Sequence, residues 1–148
     1  MDNFEPVIVG FCCHYCAYTA ADMAGSMRIF YPPNIKIIRV PCTGKVDVIH
    51  MMRALQKGAD GVFVAGCLEG DCHFKNGNIK AARRVNHAKK WLEEIGIGGD
   101  RLEMMTMSAG MGDVFARTAT EFTAKIREMG PNPAKQPKAA SADVHQHM

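Results

Sequence analysis

Four short apolar runs alternate with longer amphipathic stretches along this chain. Val7 to Phe11 is almost continuously apolar, the pattern of a strand buried on both faces. From about Ala17 to Met27, residues Ala20, Met23, Ala24 and Met27 share one helical face. Tyr31-Pro32-Pro33-Asn34 ends that helix, because proline has no backbone N–H to continue it. Ile35 to Val40 is rich in β-branched residues and reads as a second strand. Thr43-Gly44 then turns the chain into a helix over about Val46 to Gln56, with Ile49, Met52 and Leu55 as its predicted buried face and Gly58 closing it. Gly61 to Gly66 is the third strand. The longest helix, about Asn78 to Ile95, repeats Ala81, Val85, Ala88, Leu92 and Ile95, with Lys80, Arg83, Arg84, Lys89 and Lys90 mostly off that line. Leu102 to Met107 is a fourth strand, and a last helix running to Met129 repeats Phe115, Ala119, Phe122, Ile126 and Met129.

Repeated strand–helix alternation implies parallel strands joined by right-handed crossovers. The expected fold is a single doubly wound α/β domain, Rossmann- or flavodoxin-like, with a four-stranded parallel sheet over residues 1–130. Residues 131–148, with Pro131, Pro133 and Pro137 and no core-forming pattern, are expected to form a flexible tail. A length of 148 residues with 47% apolar content is enough for one domain with a real core. The net charge of +3 is too small to argue for nucleic acid. No run approaches the roughly 18 apolar residues that would imply a membrane span. Met1 to Pro6 has no basic segment leading into an apolar one, so a cytoplasmic location is expected. Eleven methionines suit either irregular core gaps or an adaptable contact surface.

Six cysteines change this picture. Cys12, Cys13 and Cys16 come at the end of the first apolar run, Cys42 just past the second, and Cys67 just past the third with Cys72 shortly beyond. In a parallel sheet all strand carboxyl ends share one edge, where ligands bind near the topological switch point. With the first strand central and the second and third beside it, neighbours lie about 4.8 Å apart, and all the sulfurs can reach one pocket. In a cytoplasmic protein such a set points to metal binding or catalysis before disulfides. Structural burial is the plain alternative for one or two of them.

Thiolate ligands favour zinc or iron–sulfur clusters. Cys13-x2-Cys16 is the one C-x2-C pair here, whereas a compact zinc ribbon uses two. A 2Fe-2S cluster needs four cysteines, tolerates irregular spacing, and leaves two thiols over. Cys13-His14-Tyr15-Cys16 also has the placement of a thiol–disulfide oxidoreductase motif, between a strand and a helix N-terminus. That reading explains neither Cys42 nor the pair Cys67 and Cys72. A structural zinc-binding interaction module is the third reading. His14 and His73 flank cysteines and read as ligands, donors to sulfur or ordinary loop residues, while His145 and His147 fall in the tail. Glu69 and Asp71 read as loop-shaping, and Gly66-Cys67-Leu68-Glu69-Gly70 lacks phosphate-loop spacing. The basic helix is a solvated face or a dock for an acidic partner.

Three cysteine-bearing motifs occur in order: Gly10-Phe11-Cys12-Cys13-x-x-Cys16; Tyr31-Pro32-Pro33-x-Ile35-x-Ile37-Ile38-Arg39-Val40-x-Cys42-x-Gly44; and Gly58-Ala59-Asp60-Gly61-Val62 through Gly66-Cys67-x-x-Gly70-Asp71-Cys72-His73. Together they resemble the delta (iron–sulfur) subunit family of methyl-viologen-reducing hydrogenase, in register from about Glu5 to Met129. The resemblance implies an electron-carrying subunit with one 2Fe-2S cluster and no substrate chemistry of its own. It implies a place between an electron-donating oxidoreductase, such as a nickel–iron hydrogenase or a formate dehydrogenase, and the flavin subunit of a heterodisulfide reductase-type complex that performs electron bifurcation. Cys13, Cys42, Cys67 and Cys72 are the expected ligands, with Cys16 and Cys12 as alternates. Cys12 and Cys13 would point to opposite faces if both lay in a strand, and so would not serve equally. Backbone amides of the turns near Gly44, Gly66 and Gly70 are the expected donors to sulfur.

Overall fold

The apolar runs pair side by side. A computed structural model describes residues 5–14, 17–26, 35–66 and 77–133. Strands β1 (Ile8–Cys13), β2 (Ile35–Val40), β3 (Gly61–Gly66) and β4 (Leu102–Thr106) form one sheet in the order β2-β1-β3-β4. All three pairings are parallel. The two inner strands have the most continuous apolar sequence, and β3 is buried at every position. β2, which alternates apolar residues with exposed Lys36 and Arg39, takes an edge, where charge discourages further strand pairing.

Helices α1 (Ala17–Ser26) and α4 (Gly112–Met129) cover one face, and α2 (Val48–Gln56) and α3 (Gly77–Glu94) the other. Ile8, Phe63 and Ala65 pack with Ala20, Ala24, Phe115, Ala119 and Ile126 on the first face. Phe11, Val62 and Val64 pack with Met51, Leu55, Ala81, Val85 and Leu92 on the second. Phe63 meets Phe115 and Phe122 edge-on, with ring centroids 6.3 and 6.0 Å away. The neighbouring strand makes room for this ring with a glycine, since a Cβ on Gly10 would overlap its Cζ. The doubly wound α/β fold is therefore as expected, and its strand order is the flavodoxin-type one.

The edges of several elements differ from the sequence reading. β1 runs on through Cys12 and Cys13, so these cysteines end the strand rather than follow it. α2 starts at Val48 after a 3-10 turn at Thr43–Lys45, because Asp47 caps it and exchanges hydrogen bonds with the backbone and side chain of His50. Its buried residues are Met51 and Leu55; Ile49 is 57% exposed and Met52 only partly covered, which rotates the predicted face. Gly58, with φ +117°, follows the C-cap Lys57. Of the residues ending two predicted apolar stripes, Ile95 lies just past α3 and is 60% exposed, and Met129 is the last residue of α4 and is 36% exposed.

The amino-terminal edge of the sheet is closed by a buried polar knot. Asp60 accepts hydrogen bonds from the backbone N–H of Val7 (2.8 Å) and of Asn132 (2.9 Å). The Asn132 amide donates to the carbonyls of Leu55 and Ala59, and Arg101 donates to those of Asp60 and Pro131. The packed part thus reaches Asn132, two residues past the expected boundary at 130.

Candidate functional site at the carboxyl edge of the sheet

The winding of the chain determines where a site can form. After β1 the chain passes to α1 on one face, and after β3 to α3 on the other, so a crevice opens between the carboxyl ends of these neighbouring strands. Cys12 and Cys13 close β1 at this crevice. Cys12 aligns with Ala65 of β3, and Gly66 ends that strand, so Cys67 is the next residue in sequence beyond the edge. Cys13 aligns with Val40 of β2, and Cys42 follows Val40 by two positions. Cys16, Cys67, Cys72 and His73 lie outside the described residues, as do Glu69, Asp71 and the tail from residue 134.

Each of the three described cysteines has its own surroundings. The Cys13 sulfur accepts the backbone N–H of Ala17, the first residue of α1, at 3.4 Å. The Cys42 sulfur caps the 3-10 turn and accepts the N–H of Gly44 at 3.4 Å. Here the amide expected near Gly44 is in place. Cys12 is fully buried, and burial together with the neighbouring Cys13 pushes its thiol up to about 12. Strand alternation does not separate the pair, since Cys12 and Cys13 belong to the same apolar cluster beneath α1 and α4. What separates them is the amide on the Cys13 sulfur.

The turn after Cys42 is packed from three sides. A Cβ on Gly44 would lie 3.0 Å from the Cα of Gly77, the first residue of α3, and 3.6 Å from the Cys42 sulfur. A Cβ on Gly66 would lie 3.0 Å from the side chain of Thr43, which is itself buried. Arg84 of α3 donates to the carbonyls of Gly44 (2.5 Å) and Val46 (3.2 Å). The sequence pattern placed Arg84 on a solvated face. Its position, three residues after Ala81 and four before Ala88, lies on the border of the apolar stripe and is the signal that could have singled it out. Lys89 likewise leaves the solvated set, bonding the Leu102 carbonyl and Glu103, whereas Lys80, Arg83 and Lys90 are exposed.

A cavity of about 400 Å³ opens beside the edge, lined by His14, Arg39, Val40 and Pro41. His14 is exposed, and its backbone N–H donates to the Val40 carbonyl at 2.8 Å. The Arg39 guanidinium lies 5.1 Å from the ring centre of Tyr18. Among the described residues no three Cys, His, Asp or Glu side chains form a metal-binding group. Two sulfurs near adjacent strand ends, each accepting a backbone amide, nevertheless supply part of a donor set that fits a thiolate-held metal group. Among the described residues no helix is long and apolar enough to cross a membrane.

The chain is 50% identical over 131 residues to the iron-sulfur subunit of the vhu F420-non-reducing hydrogenase of Methanocaldococcus jannaschii, covering 88% of this chain and 98% of the relative. It is 49% identical over 130 residues to the iron-sulfur subunit of the F420-non-reducing hydrogenase of Archaeoglobus profundus, covering 88% and 95%. It is also 41% identical over 126 residues to one subunit of the ferredoxin:CoB-CoM heterodisulfide reductase of Methanosarcina mazei, covering 85% of this chain but 16% of that much longer protein. With residues 8–130 matched by the family model, the chain belongs to the methyl-viologen-reducing hydrogenase delta subunit family.

Proposed function

We propose that this protein is an electron-relay subunit that holds one 2Fe-2S cluster through Cys13, Cys42, Cys67 and Cys72, with Cys16 and Cys12 as reserves. The observation that carries this reading is the pair Cys13 and Cys42, brought to adjacent strand ends with a backbone N–H on each sulfur. The relatives named as iron-sulfur subunits support the class of cofactor. When bound, such a cluster supplies one-electron transfer. The protein's share is to orient the ligand sulfurs, donate amides to them and exclude water from the edge. Burial raises the Cys12 thiol, which makes it the last choice among the reserves.

The partners follow from the same reading. One is an electron-donating oxidoreductase, a hydrogenase or formate dehydrogenase, since several relatives are named as hydrogenase subunits. The other is the flavin-containing component of a heterodisulfide reductase-type bifurcating complex in the cytoplasm. The similarity to one stretch of a heterodisulfide reductase polypeptide supports it, because there the same kind of module is part of a longer reductase chain.

Visible and paramagnetic resonance spectra of anaerobically purified protein, before and after dithionite, test the proposal. A brown protein with a reduced-state signal from about one 2Fe-2S cluster per chain is expected. Colourless protein with stoichiometric zinc, or metal-free protein with a reducible disulfide, would refute it in favour of the zinc-module or thiol–disulfide reading.

A further inference from the structure

We infer that Arg84 is a positioning residue for the cluster: it holds the turn that presents the Cys42 sulfur. The inference rests on the reading above that Cys42 is a ligand. Arg84 projects from the second turn of α3 and donates to two carbonyls of the Cys42 turn, those of Gly44 and Val46. With these carbonyls turned towards α3, the Gly44 N–H points back at the Cys42 sulfur. Backbone packing fixes the remaining freedom, because Gly44 lies against Gly77 and Thr43 against Gly66, where β3 ends. The turn is therefore clamped between the end of β3 and the first turns of α3. The clamp has one charged component, the half-buried guanidinium.

Two consequences reach the sulfur. Mechanically, the planar fork of Arg84 can satisfy carbonyls in a fixed geometry that a lysine ammonium on a shorter reach does not reproduce. Electrostatically, an amide on the ligand sulfur and a nearby positive charge both favour the more negative, reduced state of a cluster, and so raise its potential. Removing Arg84 frees the turn, weakens the Gly44 N–H···S contact and removes the charge. Each of these changes lowers the potential.

Arg84→Gln and Arg84→Lys in the full-length protein test this with two readouts. In the cluster-loaded protein, Arg84→Gln shifts the reduction potential to a more negative value and changes the paramagnetic spectrum. Arg84→Lys recovers most of the potential, because the charge remains, while its spectrum still differs from wild type. In the apoprotein, where no cluster intervenes, Arg84→Gln makes the buried Cys42 react several-fold faster with iodoacetamide, as read by peptide mass spectrometry, with Cys12 unchanged as the internal control. If Arg84→Gln does not fold, the spectrum of Arg84→Lys and its Cys42 alkylation rate carry the test. Wild-type potential, spectrum and Cys42 reactivity in the folded variants, with at most a lower melting temperature, would overturn the inference. Wild-type protein that binds no cluster would instead overturn the functional reading, while the alkylation rates would still report whether Arg84 holds the turn.

Discussion

Cys12 and Cys13 are adjacent in sequence and have different chemistry available to them. Cys12 has no exposed surface, and its thiol is held to about 12 by burial and then by Cys13. Cys13 and Cys42 each receive a backbone amide on sulfur, the arrangement that steadies a thiolate ligand. Cys12→Ala should therefore retain the cluster. Cys13→Ser and Cys42→Ser should each lose most of it or yield an altered one, as read by iron and sulfide content and by the paramagnetic signal. An intact cluster in Cys13→Ser would move the assignment to the reserve ligands. This distinction was not legible from strand alternation, because the end of β1 leaves both side chains in one apolar cluster.

At the scale of elements, β4 is tied to helices on both faces through one carboxylate. Glu103 accepts from Lys89 of α3 at 3.3 Å and from Lys125 of α4 at 2.7 Å. Burial alone would raise its pKa, but the hydrogen bonds and charges of the two lysines outweigh that and hold it below the ordinary carboxylate value. A depressed folded-state pKa contributes stability above the unfolded-state value, and that stability is lost as the pH falls through the folded-state pKa. Acid titration of chemical-denaturation midpoints should show this loss in wild type and a flatter profile in Glu103→Gln. Because the groups are about one-third exposed, the difference should not exceed about 1 kcal/mol. The knot at the opposite edge is costlier to disturb. Asn132→Ala takes its amide donor from the Ala59 carbonyl, while that of Leu55 keeps the Gly58 N–H, and should cost about 1–3 kcal/mol in urea unfolding. An unchanged midpoint would mean that water replaces the amide without penalty.

At the scale of the molecule, the site borders one core without being needed to build it: Cys13 is one member of the large apolar cluster beneath α1 and α4. Both apolar clusters are built from sheet and helix residues, and Cys42 belongs to neither. Small zinc domains, by contrast, fold only with their metal. Stripping iron and sulfide should accordingly leave the far-ultraviolet circular dichroism of the α/β domain largely intact while abolishing the visible spectrum. Collapse of the helical signal on stripping would show that the group also carries the fold. The edge strand β2 and the exposed Ile38, Ile49 and Trp91 are features of the whole surface that no single element's periodicity revealed.

The sequence by itself determined the number and order of the strands, their parallel pairing, and the placing of Cys12, Cys13 and Cys42 at one sheet edge. These are local or topological properties: apolar period, helix-stopping prolines and glycines, and the right-handed crossover rule suffice for them. Only the tertiary structure decided which face of α2 is buried, where β1 ends, that Asn132 belongs to the packed unit, and that Arg84 reaches across to the Cys42 turn. Each depends on contacts between residues far apart in the chain, such as the forty positions separating Arg84 from Gly44. A local pattern records whether a side chain tends to be covered; which atoms cover it depends on how the elements come together.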